Sequence, residues 1–367
     1  MDTLSPAATE NDRLARFPDE GIKDLGKAGL LGLTIPGELG GLGLGPRAFA
    51  EVATTLAEAD ASAAMIFVMH IAGVSCIAGA ERNPELERIL REISAGRHLT
   101  TLAFSERGSR SHFWAPVSRV EPNGHGVYLS AEKSWVTSAS HADSYVATTL
   151  TKDAKSPVET TLYLVDPRSN GVKVEGRFDG LGLRANDSSP VTMDRCLIPD
   201  ERRLTKEGAG MDAKLTRVLP IFNLGVTAMS LGICRAAVRS TAAHLKSARL
   251  EHLGTSLGEG LPNLRARLAT MQIETDGLAA RMDDLIAHLE RPDDLTVLRV
   301  LESKAAANET AIRVTSEAMR ACGGAAFSKH TSIDRNFRDA HAGAVMSPTV
   351  DHLHEFIGRA LLGMPLM

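Results

Sequence analysis

The 367-residue chain is poor in aromatic residues and in cysteine, and it has no long run of charge of one sign. Its four cysteines do not pair at the spacing of metal ligands, and nothing in their positions indicates a disulfide framework. We therefore predict buried thiols in a reducing cytosol and no metal site. The net charge of −4, without clustered Lys and Arg, argues against nucleic acid as a partner.

Targeting and membrane signals are also missing from the sequence. The first residues, MDTLSPAATENDR, are polar and contain no apolar core for a signal peptide. We expect no apolar run to reach the roughly 18 residues that a membrane-spanning helix requires. The sequence therefore predicts a cytoplasmic protein that has no membrane partner.

The composition changes twice along the chain and divides it into three regions. Residues 1–98 are rich in Ala, Leu and Glu and predict helices. Residues 99–207 contain short β-type runs separated by turns such as PNGHG and PRSNG, a pattern typical of a barrel or sandwich. Residues 208–367 return to long helical patterns, which predict a helical bundle.

Two short motifs are candidates for binding a redox cofactor. In AFSERGSRSHFWAP a predicted strand leads into hydroxyls and backbone N–H groups, which can bind a flavin edge or a pyrophosphate. In KSWVTSA the period of a strand puts Trp135 and Thr137 on one face, where an indole and a hydroxyl suit a flat ring. Taken singly, each motif is also typical of a surface turn or a packed core.

Taken in order, several segments resemble the acyl-CoA dehydrogenase family of flavoproteins. GLLGLTIPGELGGLGLG is similar to the family's first-domain loop, FSERGSRS to TEPGAGS, and EKSWVTS to QKMWITN. GLRANDSS is similar to MGQRCSDT, MRACGGAAF to IQIFGGYGF, and FRDA to YRDA. The resemblance covers almost the whole chain. It implies FAD and an α+β multidomain fold with an N-terminal α-helical domain, a middle β-barrel domain and a C-terminal four-helix bundle. It also implies a homodimer or homotetramer with FAD held between subunits.

The resemblance also implies roles for single residues at matching positions. Trp135 would pack on the flavin and Thr137 would hydrogen-bond near its N5 atom, while Arg249 would reach the FAD of a neighbouring subunit. The implied cofactor-binding residues are Phe104, Ser105, Ser111, Trp135, Thr137, Arg249, Arg320, Gly323, Gly324 and Thr349. The expected substrate pocket consists of Arg110, His112, Phe113, Trp114, Phe222 and Asn223. Such bulky and charged side chains favour a small acyl group carried on CoA or on an acyl carrier protein.

The family's catalytic glutamate is missing from this sequence. Ser347 stands at its position, eight residues after Asp339, and the alternative position near Phe222 and Asn223 carries no carboxylate either. A serine hydroxyl does not act as a base unless another group activates it. A displaced base is one explanation. Asp351 is a candidate for it, and so are His352 in the same segment and His112 beside the proposed flavin site.

Three functions fit this substitution. The first is α,β-dehydrogenation of a small acyl thioester with a non-standard base, followed by transfer of electrons to an electron-transfer flavoprotein or oxygen. The second is a flavin-dependent monooxygenase or oxidase, which needs no base at the α-carbon. The third is a catalytically inactive flavoprotein. The flavin-facing motifs are intact and favour the first, and the substituted positions indicate a specialised, secondary-metabolic pathway.

Overall fold

Helices occupy both ends of the chain and strands occupy its middle. The computed structural model describes residues 4–110 and 112–365. The helices are α1 (Leu4–Leu14), α2 (Asp19–Lys27), α3 (Pro46–Ala59), α4 (Ala61–Ala78), α5 (Pro84–Ser94), α6 (Gly210–Ala213), α7 (Leu219–Ser247), α8 (Leu257–Gly260), α9 (Pro262–Glu290), α10 (Thr296–Phe327), α11 (Ile333–Val345) and α12 (Val350–Leu361). The strands are β1 (Thr100–Ala103), β2 (Val120–Pro122), β3 (Gly126–Val136), β4 (Ser144–Leu150), β5 (Thr160–Val165), β6 (Val172–Val174), β7 (Ser189–Pro199), β8 (Arg249–Leu250) and β9 (Thr255–Ser256).

The central helix of the N-terminal domain, α4, is apolar on all sides. It begins at Asp60, whose carboxylate accepts hydrogen bonds from the backbone N–H groups of Ser62 and Ala63. With 18 residues and no charged side chain, α4 is long enough to span a membrane, so the expectation that no apolar run reaches this length is wrong. The fold buries 83% of α4, which contacts α3, α7 and β1. A second apolar stretch of this length, within Gly210–Ser247, is also 83% buried. A helix that packs on every side needs no polar face, which accounts for its hydropathy.

The strands of the middle region form two sheets around a shared core. One sheet has the order β1-β4-β5, and the other is antiparallel with the order β2-β3-β7-β6. Isolated bridges connect the two sheets: Glu106, after β1, pairs with Lys133 of β3, and Arg119, before β2, pairs with Leu150 of β4. Side chains from both sheets fill the space between them. This arrangement confirms the predicted middle β-barrel domain and the predicted order of helical, β and helical domains.

Long helices of the C-terminal region pack side by side as the sequence predicts. Leu278, Met282 and Leu285 lie on the buried face of α9, which contacts α7 and α10. The helix α10 is broken at Gly323, which adopts φ 51° and ψ −129°, and one more turn continues to Phe327. Glycine adopts this backbone conformation without the steric penalty that other residues incur. After α11, a short linker of residues 346–349 leads the chain into α12.

Close packing of α3 against α7 joins the two helical domains. A Cβ atom added to Gly232 of α7 would lie 2.4 Å from the carbonyl oxygen of Thr54 and 2.6 Å from the Cβ atom of Ala57. Both neighbours belong to α3, and one of them is backbone. The absence of a side chain at Gly232 therefore sets the distance between these helices.

We predict that Gly232→Ala lowers the free energy of unfolding by about 1–3 kcal/mol, because the added methyl group overpacks this contact. Gly277→Ala is the matched control, since Gly277 is also within a helix but its added Cβ atom would meet nothing within 4 Å. The control should gain up to about 1 kcal/mol from the higher helix propensity of alanine. Denaturant unfolding of both variants measures the difference, and equal stability of the two would contradict the close contact.

Candidate active site

A cavity of about 1000 Å³ lies where the middle domain meets the N-terminal and C-terminal helices. The end of β1 and the end of β3 form one part of its lining. Residues of α7, of α11 and of the linker before α12 form another part. The sequence-predicted residues that line it are Phe104, Ser105, Arg110, Phe113, Trp135, Thr137, Phe222 and Ser347.

Trp135 and Thr137 both line the cavity, but regular strand alternation is not the cause. The pairing of β3 with β7 shifts register between Lys133 and Val136, and Trp135 has a positive φ of 55°. Such a φ is uncommon outside glycine and turns the chain locally. The indole is 67% exposed and meets the Phe178 ring edge-on, whereas the buried Thr137 hydroxyl lies 3.1 Å from that of Ser188.

An amide oxygen in the cavity wall lacks a donor. Asn186 lines the cavity and is 2% exposed, and its Oδ1 atom has no hydrogen-bond partner among residues 4–110 and 112–365. A buried acceptor without a donor is costly, so a ligand N–H or O–H group would be stabilising here. An open indole face, a pair of hydroxyls and an acceptor for an N–H group together fit a flavin ring.

Glu106 is the one carboxylate in the described part of the cavity lining, and its hydrogen bonds are already made. It accepts a hydrogen bond from the buried ammonium of Lys133 and another from the Ser118 hydroxyl. The backbone N–H groups of Val117 and Ser118 donate to it at 2.7 and 2.9 Å. Burial opposes its charge, but the attraction of Lys133 and these hydrogen bonds outweigh burial and hold the pKa of Glu106 below its ordinary value. Glu106 is therefore a structural anion and a poor proton acceptor.

His341 is the histidine among the described lining residues. Its Nδ1 atom lies 2.7 Å from the carbonyl oxygen of Phe337, one turn earlier in α11. A carbonyl oxygen only accepts, so Nδ1 carries the proton of this hydrogen bond. The neutral ring then has its lone pair on Nε2, for which the structure gives no hydrogen-bond partner in the described residues.

The structure does not place four of the sequence-predicted catalytic or pocket residues in the cavity lining. His112 is exposed and contacts Trp114, which packs edge-on against His352 of α12. Asn223 is fully buried and donates a hydrogen bond to the carbonyl oxygen of Val300 at 2.9 Å. Asp351 is exposed in the first turn of α12, where its charge favours the helix N-terminus. This placement does not support Asp351 as the base.

The other predicted cofactor residues lie away from this lining. Thr349 instead caps α12, by accepting a hydrogen bond from the N–H group of His352 at 3.4 Å. Arg249 is exposed and donates to the carbonyl oxygen of Gly254, and Arg320 pairs with Glu317. Gly323 and Gly324 have open space around them. Their roles toward the FAD of a neighbouring subunit stay predictions, and Ser111 lies outside the described residues.

Sequence reasoning missed the most informative polar groups of the cavity. His341 lies two residues after Asp339 of the FRDA motif. It is also four residues after Phe337, a spacing that places His341 and Phe337 on one helix face. Arg338 also lines the cavity while pairing with Asp12 at 2.6 Å and Asp334 at 3.0 Å. In the described part of the chain, no group of three His, Cys, Asp or Glu side chains is placed to hold a metal ion.

Comparison with known families assigns all three domains of this architecture to one family. The acyl-CoA dehydrogenase N-terminal domain matches residues 1–96, the middle domain matches 101–196, and the C-terminal domain matches 208–362. The chain therefore belongs to the acyl-CoA dehydrogenase family of flavin oxidoreductases, and FAD is its cofactor.

Individual relatives agree with the family assignment. L-evernosamine nitrososynthase of Micromonospora is 29% identical, over 98% of this chain and 87% of that protein. Cyclohex-1-ene-1-carbonyl-CoA dehydrogenase of Geobacter metallireducens is 26% identical, over 98% and 94%. The solved structure of butyryl-CoA dehydrogenase from Megasphaera elsdenii superimposes with a TM-score of 0.91, at 22% identity, over 98% and 94%. Proteins that are named for different activities thus resemble this chain over nearly its whole length.

We predict that Lys133→Met lowers the free energy of unfolding by about 3–5 kcal/mol, because it leaves the Glu106 carboxylate buried without a counter-charge. The double variant Glu106→Gln/Lys133→Met removes both charges and should recover much of this loss. Lys173→Met is the control, because Lys173 forms an exposed pair with Glu175, and its unfolding midpoint should not change. Denaturant unfolding provides the measurement. A double variant no more stable than Lys133→Met would contradict the uncompensated-charge explanation.

Proposed function

We propose that this protein catalyses α,β-dehydrogenation of a small acyl thioester, carried on CoA or on an acyl carrier protein, and that His341 accepts the α-proton. One observation carries the proposal. The imidazole lines the cavity with Nδ1 committed to the Phe337 carbonyl, so Nε2 is the accepting atom, while the carboxylate of Glu106 is fully hydrogen-bonded.

The chemistry requires one proton acceptor from the protein. Nε2 of His341 takes the α-proton, and the electron pair of that C–H bond becomes the new C=C bond as a hydride leaves the β-carbon. FAD would supply the hydride acceptor when bound, and an electron-transfer flavoprotein or molecular oxygen would be the final electron acceptor. The imidazolium returns its proton to water, and the enoyl thioester leaves.

The cavity favours a small acyl group. The rings of Phe104, Phe113 and Phe222 narrow the lining, and the same volume of about 1000 Å³ has to hold both a flavin ring and the substrate. Arg107 and Arg110 are exposed in the segment after β1. Guanidinium groups bind phosphate oxygens well, and both CoA and the arm of a carrier protein bear phosphate. Such a substrate fits a specialised pathway better than the breakdown of long acyl chains.

A subunit interface completes the proposed cofactor site. Arg249, Arg320 and the pair Gly323 and Gly324 are positioned away from the cavity of their own chain. We infer a homodimer or homotetramer in which these residues meet the FAD of the adjacent subunit. Mass measurement of the FAD-loaded protein in solution tests this arrangement.

Oxygen chemistry is the second candidate, and the residue at 347 favours it. Ser347 lines the cavity where a dehydrogenase of this family would carry a carboxylate. A relative at 29% identity is named as a nitrososynthase, and a nitroso group contains an oxygen atom bonded to nitrogen. In this alternative an external reductant supplies the electrons, molecular oxygen is a co-substrate, and His341 has no α-proton to remove.

We predict that His341→Gln slows flavin reduction by a short acyl thioester by about 10²–10⁴-fold, the contribution typical of a general base. Glutamine fills similar space but accepts no proton, so FAD content should not change. The measurement is anaerobic bleaching of the flavin absorption on mixing with propionyl and butyryl thioesters of CoA and of carrier protein. His112→Gln is the matched control, since that histidine is exposed outside the cavity, and it should reduce at the wild-type rate.

Exchange of the substrate α-hydrogen with D₂O gives a second readout that isolates proton transfer from oxidation. Wild-type protein should exchange this hydrogen, and His341→Gln should not. Normal reduction and exchange in His341→Gln would exclude it as the base. If wild-type flavin resists every thioester but the protein forms product with an external reductant and oxygen, the oxygenase alternative replaces the dehydrogenase.

A further inference from the structure

A buried cation lies behind the linker that carries Ser347. Lys304 of α10 is fully buried, and its Nζ atom donates hydrogen bonds to three backbone carbonyl oxygens. The oxygen of Gly343 is 3.3 Å away, that of Met346 is 3.0 Å away and that of Pro348 is 2.6 Å away. The three carbonyls belong to the end of α11 and to the linker, so they surround Ser347 on both sides.

The partners of Lys304 are unusual because none of the three is a carboxylate. Burial alone lowers the pKa of Lys304 to about 7, since removing an ammonium group from water is costly. Three carbonyl oxygens, however, match the three N–H donors of an ammonium group, and a neutral amine has only two. The carbonyl dipoles thus stabilise the charge in place of an anion.

The groups around Lys304 connect it to the cavity. Met346, Ser347 and Pro348 all line the cavity, and so does Phe222, whose ring centre is 5.8 Å from Nζ. Asn308, one turn along α10, donates a second hydrogen bond to the Gly343 carbonyl at 2.9 Å. The linker is therefore attached to α10 through its backbone, while its side chains face the cavity.

We propose that Lys304 is a positioning residue that holds segment 343–349, which is the end of α11 and the linker after it, as a fixed wall of the cavity. It acts through the backbone on either side of Ser347 and has no contact with a reacting atom. Without its three donors, the carbonyls of Met346 and Pro348 would turn toward water, and the linker would move out of its place in the cavity wall. This inference goes beyond the proposed function, because a fixed wall serves either dehydrogenation or oxygenation.

The test compares Lys304→Met with Lys214→Met in the FAD-loaded protein. Lys214 is a matched residue because it is also fully buried and its pKa is also lowered to about 7. Burial is the larger cause of this lowering, and the positive charge of Lys133 is the second. Its partners are the Trp114 carbonyl at 3.1 Å and the Thr148 hydroxyl at 3.4 Å, which belong to the middle domain. Both variants replace a buried ammonium with a methionine of similar shape, and only one of them removes the contacts to the linker.

Hydrogen exchange measured by mass spectrometry reports on the linker directly. We expect peptides that cover 343–349 to exchange at least about tenfold faster in Lys304→Met, and at the wild-type rate in Lys214→Met. Lys304→Arg retains the charge and several donors, and it should restore most of the protection. An unchanged rate in Lys304→Met, or the same increase in Lys214→Met, would overturn the proposal.

A further variant covers the case in which Lys304→Met does not fold. Lys304→Gln keeps two N–H donors, on a side chain one atom shorter, and should give a smaller increase, still confined to 343–349. Wild-type exchange of that segment in Lys304→Gln would overturn the proposal in this case. Because no catalytic readout is used, the result is independent of whether His341 is a base.

Discussion

The buried ion pair between Glu106 and Lys133 determines the geometry of the cavity rim. It lies at the bridge between the chain that follows β1 and strand β3, where the two sheets of the middle domain meet. The same carboxylate binds the backbone of Val117 and Ser118, so three stretches of chain converge on one anion. A buried charge is tolerated only with such complete hydrogen bonding. The segments that carry Ser105 and Trp135 are consequently fixed relative to each other, although neither strand is regular at that point.

The remaining walls of the cavity depend on cations that bind carbonyl oxygens. Lys214 stands just before α7 and binds the carbonyl of Trp114, which attaches the loop after β1 to the helix that lines the cavity. Lys304 does the same for the linker between α11 and α12. An ammonium that binds backbone fixes the path of the chain and leaves the adjacent side chains unconstrained. In this chain, a substitution of a side chain that faces the cavity therefore leaves these backbone contacts in place.

The order of domains could be predicted from the sequence because local patterns determine it: long helical periodicities flank a region of short β-type runs. The common location of Trp135 and Thr137 in the cavity lining was also predictable, since the two residues are close in sequence at the end of one strand. The orientation of single residues on the helices could not be predicted from the sequence. Asn223 and Asp351 belong to helices whose rotation is set by packing, and the neighbouring helices turn both away from the cavity. His341 was missed for the same reason, because only the assembled bundle reveals that this side of α11 faces the cavity.

The position of a proton acceptor affects what else the cavity can do. A base on the linker would have to combine two roles, because the same segment also forms a wall of the cavity. In this chain Ser347 takes the linker position with a short side chain, and His341 lies within α11, where the hydrogen bond to Phe337 fixes its ring. A side chain on a helix is held more precisely than one on a loop. In the proposed mechanism the two roles are separated, so the short side chain of Ser347 leaves room in the cavity while the proposed acceptor is on a rigid element.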